Sequence, residues 1–128
     1  MVSSERLLGR WGEVEAAEYL RGKGYLVLGM DYTCRLGEVD IIAARDQYIV
    51  FAEVKLRADE AHGMAREFVD RRKQQRIIAA AGAWLREFPQ VELQPRFDVI
   101  EVYAPEGYRT KNPRIQHLEN AFWQKPRF

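Results

Sequence analysis

Gly37-Glu38-Val39-Asp40-Ile41-Ile42-Ala43 and Ile49-Val50-Phe51-Ala52-Glu53-Val54-Lys55-Leu56 are the two stretches whose reading decides the fold. β-Branched and aromatic residues dominate both, so they read as strands, and runs apolar on both sides imply a sheet covered on both faces. The polar interruption Arg45-Asp46-Gln47 is short enough to close a hairpin and pair them antiparallel. Asp40, Glu53 and Lys55 break the apolar pattern. A charge taken out of water costs several kcal/mol unless it is paired or ligates a metal.

Side chains alternate along a strand, so Glu53 and Lys55 point to one side, roughly 7 Å apart at ~3.3 Å rise per residue. The hairpin lets Asp40 approach them. Two converging carboxylates make a hard-oxygen site suited to Mg²⁺ or Mn²⁺, and a neighbouring lysine can hold or deprotonate a water. The competing reading is a structural Glu–Lys pair at a sheet edge, since structural ion pairs mimic functional sites.

Working outward, residues 4–21 read as a helix, capped by Ser3 or Ser4 and stopped by Gly22 and Gly24. In it, Glu13 lies beside the small, apolar stripe of Ala16, Ala17 and Leu20. Gly9, one turn earlier, is expected to allow close packing that brings Glu13 near the sheet; an ordinary solvated glutamate is the alternative. Residues 25–28 read as a strand, and Asp31 to Leu36 lead into the Asp40 strand. Residues 58–68, with Asp59, Glu60, His62 and Gly63, show neither period and read as a mobile loop able to close over substrate.

Asp70 to Phe88 read as a second helix, with Asp70 as cap, Ile77, Ile78, Ala81, Leu85 and Phe88 as core stripe, and Pro89 as stop. Arg71, Arg72, Lys73 and Arg76 form a basic cluster on its first turns, with Arg57 and Arg66 leading into it. Such a cluster can neutralise phosphates, and helix N-termini favour them. Alone, it reads more readily as a solvated helix face. Gln74 heads the apolar stripe and is placed to face the site. Residues 96–103 alternate as a strand, and 114–118 form a short last one. The order is α, three β, α, then one or two β: a mixed α/β sheet flanked by helices, in one domain over 1–128.

Composition narrows the classes. With 128 residues and 47% hydrophobic content the chain can bury a substantial core, and a net charge of +1 argues against coating nucleic acid by bulk electrostatics. Cys34 is the lone cysteine, and the first residues lack the apolar core of a signal peptide, so a reducing, cytoplasmic setting is expected. No apolar run approaches the ~20 residues that span a bilayer. His62 and His117 lack zinc-ligand spacing. Trp11, Trp84, Trp123, Phe122 and Phe128 read as core or interface aromatics, with Phe122-Trp123 as a tail able to pack on a second chain.

Gly9-x-x-Gly12-Glu13, Arg35-Leu36-Gly37-Glu38-Val39-Asp40, Val50-Phe51-Ala52-Glu53-Val54-Lys55, Arg72-Lys73, Arg96-Phe97-Asp98-Val99-Ile100 and Asn120-Ala121-Phe122, in that order, resemble the bacterial YraN family over nearly the whole chain. That family is placed in the restriction-endonuclease-like PD-(D/E)xK superfamily and compared with archaeal Holliday-junction resolvases. The resemblance implies a restriction-endonuclease-like fold. It also implies that Asp40, Glu53, the Val54 backbone carbonyl and Glu13 hold Mg²⁺ or Mn²⁺, with Lys55 as catalytic lysine. Arg57, Arg71, Arg72, Lys73, Gln74 and Arg76 would contact nucleic acid. Val39 stands where the literal motif has proline.

Two functional classes follow. One is a metal-dependent nuclease cutting branched or single-stranded DNA, which would need a symmetric dimer to act on two strands. The other is a nucleic-acid-binding or protein-interaction module with weak or no catalysis. The intact acids and Lys55 favour the first, because clustered negative charge facing phosphate serves no binding module.

Overall fold

A computed structural model describes residues 4–58 and 70–123. The elements are α1 (Ser4–Gly22), β1 (Leu26–Cys34), β2 (Gly37–Arg45), β3 (Tyr48–Arg57), α2 (Arg71–Glu87), β4 (Gln94–Tyr103), a short 3-10 turn (Gly107–Arg109) and β5 (Arg114–Phe122). This is the α-β-β-β-α-β-β order expected, in a mixed five-stranded sheet with strands in sequence order. β1, β2 and β3 run antiparallel, β3 and β4 parallel, and β4 and β5 antiparallel. The parallel pair requires a crossover, which includes α2. The expected loop over 58–68, with His62 and Arg66, lies almost wholly outside the described residues, as does Phe128. Among the described residues no helix is long and apolar enough to cross a membrane.

The sheet separates two cores. On one face Val39, Ile42, Ile49, Phe51, Phe97 and Val99 pack against Ile77, Ala80, Ala81 and Trp84 of α2. On the other, Ile41, Ala43, Val50, Ala52, Ile100 and Val102 pack against Ala16, Ala17 and Leu20 of α1. Apolar runs on β2 and β3 thus serve both faces. α2 is capped as its sequence suggests, the Lys73 amide donating to Asp70 Oδ1 at 2.9 Å. Its buried stripe differs in detail. Trp84 and Ala80 lie inside, whereas Phe88 is the C-cap and exposed, because the helix stops one residue short of it.

Three further expectations are corrected. Residues 26–34 form one strand rather than two pieces; its register shifts between Val27 and Gly29, and Asp31 takes a left-handed φ of 53°. β5 runs on to Phe122, which is buried and stacked on Phe97, so only Trp123 of the expected exposed pair faces solvent. Gly9 has open space around its Cα; the close approach occurs at Gly12, where a Cβ would sit 2.9 Å from Leu56 Cδ2. That contact seats α1 on β3 one residue before Glu13.

Gly37 performs the same service for α2 more strictly. A Cβ there would lie 2.3 Å from the carbonyl oxygen of Arg76, and helix backbone cannot rotate out of the way as a side chain can. Gly37→Ala is expected to lower unfolding free energy by about 2–3 kcal/mol, the range of core overpacking. Urea denaturation checks this, and a loss below about 0.5 kcal/mol, typical of an inert surface change, would show that α2 does not rest on the hairpin.

Candidate active site

β2 and β3 pair from their hairpin only as far as Ile41 and Ala52. Beyond that point β2 stays paired to β1 as far as Gly37, and β3 stays paired to β4 as far as Arg57. The strands therefore part as a fork, and backbone groups at its mouth lose their ladder partners. Asp40 meets that need: its Oδ2 accepts from the Val54 N–H at 2.8 Å. In a strand the N–H and C=O of one residue point to the same side, so the Val54 carbonyl opens on the fork as well.

Alternation also breaks here. Val39 belongs to the α2-side core and Ile41, two positions on, to the α1-side core, with Asp40 between them. On β1 the same switch separates Tyr32 from Met30, with left-handed Asp31 between them. Tyr32 pairs with Val39 and Met30 with Ile41, which sets Asp31 opposite Asp40. Glu13 completes the group from α1: one carboxylate oxygen from each of Glu13, Asp31 and Asp40 lies within 4.8 Å of the others. Arg10 of α1 pairs with Asp31 and holds it in place.

Asp40 also has a partner on the α2 side of the sheet. Glu53, 3% exposed, shares a hydrogen bond with it. The Nζ of Lys73, on the first turn of α2, lies 2.7 Å from Glu53 Oε1. Asp40 thus stands between two acids on the α1 side and a Glu–Lys pair on the α2 side.

The electrostatics follow from this crowding. Burial, then the charge of Glu53, push the Asp40 carboxyl from 3.8 up to about 7, against the opposing pull of the Val54 N–H. Burial, the hydrogen bond to Asp31 and the charges of Asp40 and Asp31 push Glu13 from 4.5 up to about 8, with Arg10 opposing. Acids that repel one another in this way favour a cation in their midst. For Lys73, burial acts downward, but the bond to Glu53 and the charges of Glu53, Asp40 and Glu38 raise it.

The other expected site residues are placed as follows. Lys55, half-buried, lies on the Glu53 side of β3, but the amine that bonds Glu53 is that of Lys73. Arg57 is mostly buried, with its Nε 2.9 Å from Glu101 Oε2. Arg71, Arg72 and Arg76 are exposed on the first turns of α2, and Gln74 is half-buried. Arg72, Lys73 and Arg76 line a pocket of about 230 Å³ with Glu38, Asp70 and Ile77. Asp31 is the residue that sequence reasoning missed. The signal was available: if Arg35-Leu36 is read as a two-residue turn closing on Cys34 and Gly37, Asp31 falls opposite Asp40.

Comparison with known proteins agrees with the motifs. A family model described as "Uncharacterised protein family UPF0102" matches residues 12–102, from the residue before Glu13 to the last residue but one of β4. The chain is similar to UPF0102 proteins of Pelotomaculum thermopropionicum, at 40% identity over 95% of this chain and 100% of that one, and of Alkaliphilus oremlandii, at 42% over 90% and 97%. A UPF0102 protein of Pseudomonas aeruginosa is 38% identical over 93% of this chain and 94% of its own length. With a model covering most of the chain and relatives matched over nearly their full lengths, this chain belongs to the UPF0102 family, the YraN family that its motifs resemble.

Proposed function

We propose that this protein hydrolyses phosphodiester bonds in DNA with Mg²⁺ or Mn²⁺ as cofactor, selecting branched or single-stranded structure rather than sequence. The observation that carries this reading is the convergence of Glu13, Asp31 and Asp40 from α1, β1 and β2 at the mouth of the fork, beside a helix whose first turns are basic. The donor set fits a hard divalent ion: every side-chain oxygen is a carboxylate, the Val54 carbonyl opens on the same space, and the carboxyls are destabilised by one another in a way a cation would relieve.

Asp40 is the ligand common to every arrangement, with Glu13 and Asp31 from one side and Glu53 from the other. A bound ion would supply Lewis-acid stabilisation of the charge that develops on phosphate oxygen. Lys55 would orient or activate the attacking water. Arg71, Arg72 and Arg76 would contact phosphates at the α2 N-terminus, where backbone N–H groups assist. Among the described residues no strand or helix presents a row of base-reading side chains, so in this reading selectivity rests on backbone and shape. Cutting two strands would require a symmetric dimer.

A second reading, a nucleic-acid-binding or protein-interaction module without catalysis, is favoured by one observation: Glu53 already has a cation in Lys73. Incubating the protein with single-stranded, duplex, flap and four-way-junction DNA in Mg²⁺ or Mn²⁺, beside Glu53→Gln, separates the two. Cleavage by wild type, abolished in Glu53→Gln, is expected; binding without cleavage would favour the module, and equal cleavage by both proteins would remove the site.

A further inference from the structure

We propose that Lys73 is the resident counter-ion of this site, competing with the divalent ion for Glu53 and contributing to phosphate binding once displaced. This rests on the nuclease reading and adds a role for Lys73 that differs from that of Lys55. The geometry is specific. Glu53 is buried, its side chain 4% exposed, whereas Lys73 reaches it from the first turn of α2 with 41% of its side chain exposed. A buried carboxylate without a partner is costly, so whenever no divalent ion is bound Glu53 needs another cation. Lys73 supplies it from a helix anchored by Asp70 at its cap and by Gly37 beneath Arg76.

The charges facing Lys73 come from three elements: Glu38 and Asp40 on β2, Glu53 on β3, and Arg72 and Arg76 on α2 itself. The acids hold the amine in place, and the arginines make its neighbourhood repulsive once an ion neutralises those acids. A divalent ion that recruits Glu53 must break the 2.7 Å bond. The released amine then lies in the pocket it shares with Arg72 and Arg76, on the helix end that favours phosphate. The exchange transfers no bond or electron; one cation replaces another at a carboxylate.

The test is Mn²⁺ binding by calorimetry at about pH 8, where a free carboxyl is ionised, on the full chain without DNA. Lys73→Met is expected to tighten Mn²⁺ binding roughly tenfold, as removal of a competing half-buried ion pair should. Lys73→Arg restores the wild-type affinity, while Arg86→Met, which removes an exposed charge in the last turn of the same helix, stays within roughly twofold. Mn²⁺-loaded Lys73→Met should bind a single-stranded oligonucleotide more weakly than wild type. Should Lys73→Met fail to fold, Lys73→Gln carries the same expectation. Unchanged or weaker Mn²⁺ binding in the folded variant would overturn the proposal while leaving the nuclease reading intact; absence of Mn²⁺ binding by wild type would overturn both.

Discussion

Asp98→Ala is expected to destabilise the protein by about 3–5 kcal/mol, the loss seen when one partner of a buried ion pair is removed. Asp98 is fully buried on β4. It accepts from Arg96 Nε at 2.9 Å and Nη2 at 2.8 Å, from the Asn120 N–H at 3.0 Å, and lies 2.6 Å from His117 Nε2. Arg96 is in turn held by the Tyr25 hydroxyl and packed against the Tyr25 and Tyr48 rings. Removing the carboxylate leaves the buried guanidinium to the Tyr25 hydroxyl and to the exposed Glu119, 3.4 Å away, and frees a backbone N–H. Burial pushes the Asp98 carboxyl up, yet the bonds from His117, Arg96 and Asn120 outweigh it and hold it below its ordinary value. Its stabilisation is therefore present at neutral pH and lost as pH falls through that lowered value. Urea denaturation at neutral pH measures the effect, and a loss under about 1 kcal/mol, that of an exposed pair, would mean that the network does not hold β5 to the sheet.

Asp40→Asn is expected to do the opposite to stability while abolishing the proposed cleavage and ion binding. Asn keeps an oxygen for the Val54 N–H, so the fork retains its bond. What disappears is a carboxyl whose folded value, about 7, stands above its ordinary 3.8. A raised value means that the group's contribution is fully present below 3.8 and lost as pH climbs through about 7. Ion-free wild type should then lose about 2–3 kcal/mol of stability between mildly acidic and mildly alkaline pH, allowing for partial exposure of the site. Asp40→Asn should lack that part of the slope and be the more stable protein at alkaline pH. Urea denaturation at both ends of the range, with divalent ions chelated, decides the point. Parallel profiles for the two proteins would show that Asp40 is not strained by its neighbours.

The two aspartates also show what a sequence can and cannot reveal. Both sit in apolar strands, and both accept from an N–H that the ladder leaves free: Val54 where β2 leaves β3, and Asn120 where β5 makes an irregular step opposite Asp98. Position in an apolar run identified Asp40, Glu53 and the sheet around them, because burial of charge is visible in the pattern. It gave Asp98 no role, because what Asp98 does depends on its company. Arg96 and His117 surround one; Glu13, Asp31 and Glu53 surround the other.

Those neighbours come from elements distant in sequence, and their meeting depends on packing. Lys73 reaches Glu53 only because α2 settles on Gly37. Asp31 joins the group only because a two-residue turn fixes the register of β1 on β2. Helix limits were legible almost to the residue, since caps and stops are local chemistry. The depth of Phe122 and the exposure of Phe88 were not, because each depends on where a neighbouring strand or helix ends.

The bond from Val54 to Asp40 has a consequence for how the site moves. An ordinary strand amide answers to the carbonyl across from it, which no ligand touches. The Val54 amide answers to a side chain that belongs to the proposed ion site. Any demand on Asp40, from a proton, an ion or a substrate, is therefore felt at once by the main chain of β3, and the spread of the two strands becomes a mechanical readout of what the acids hold.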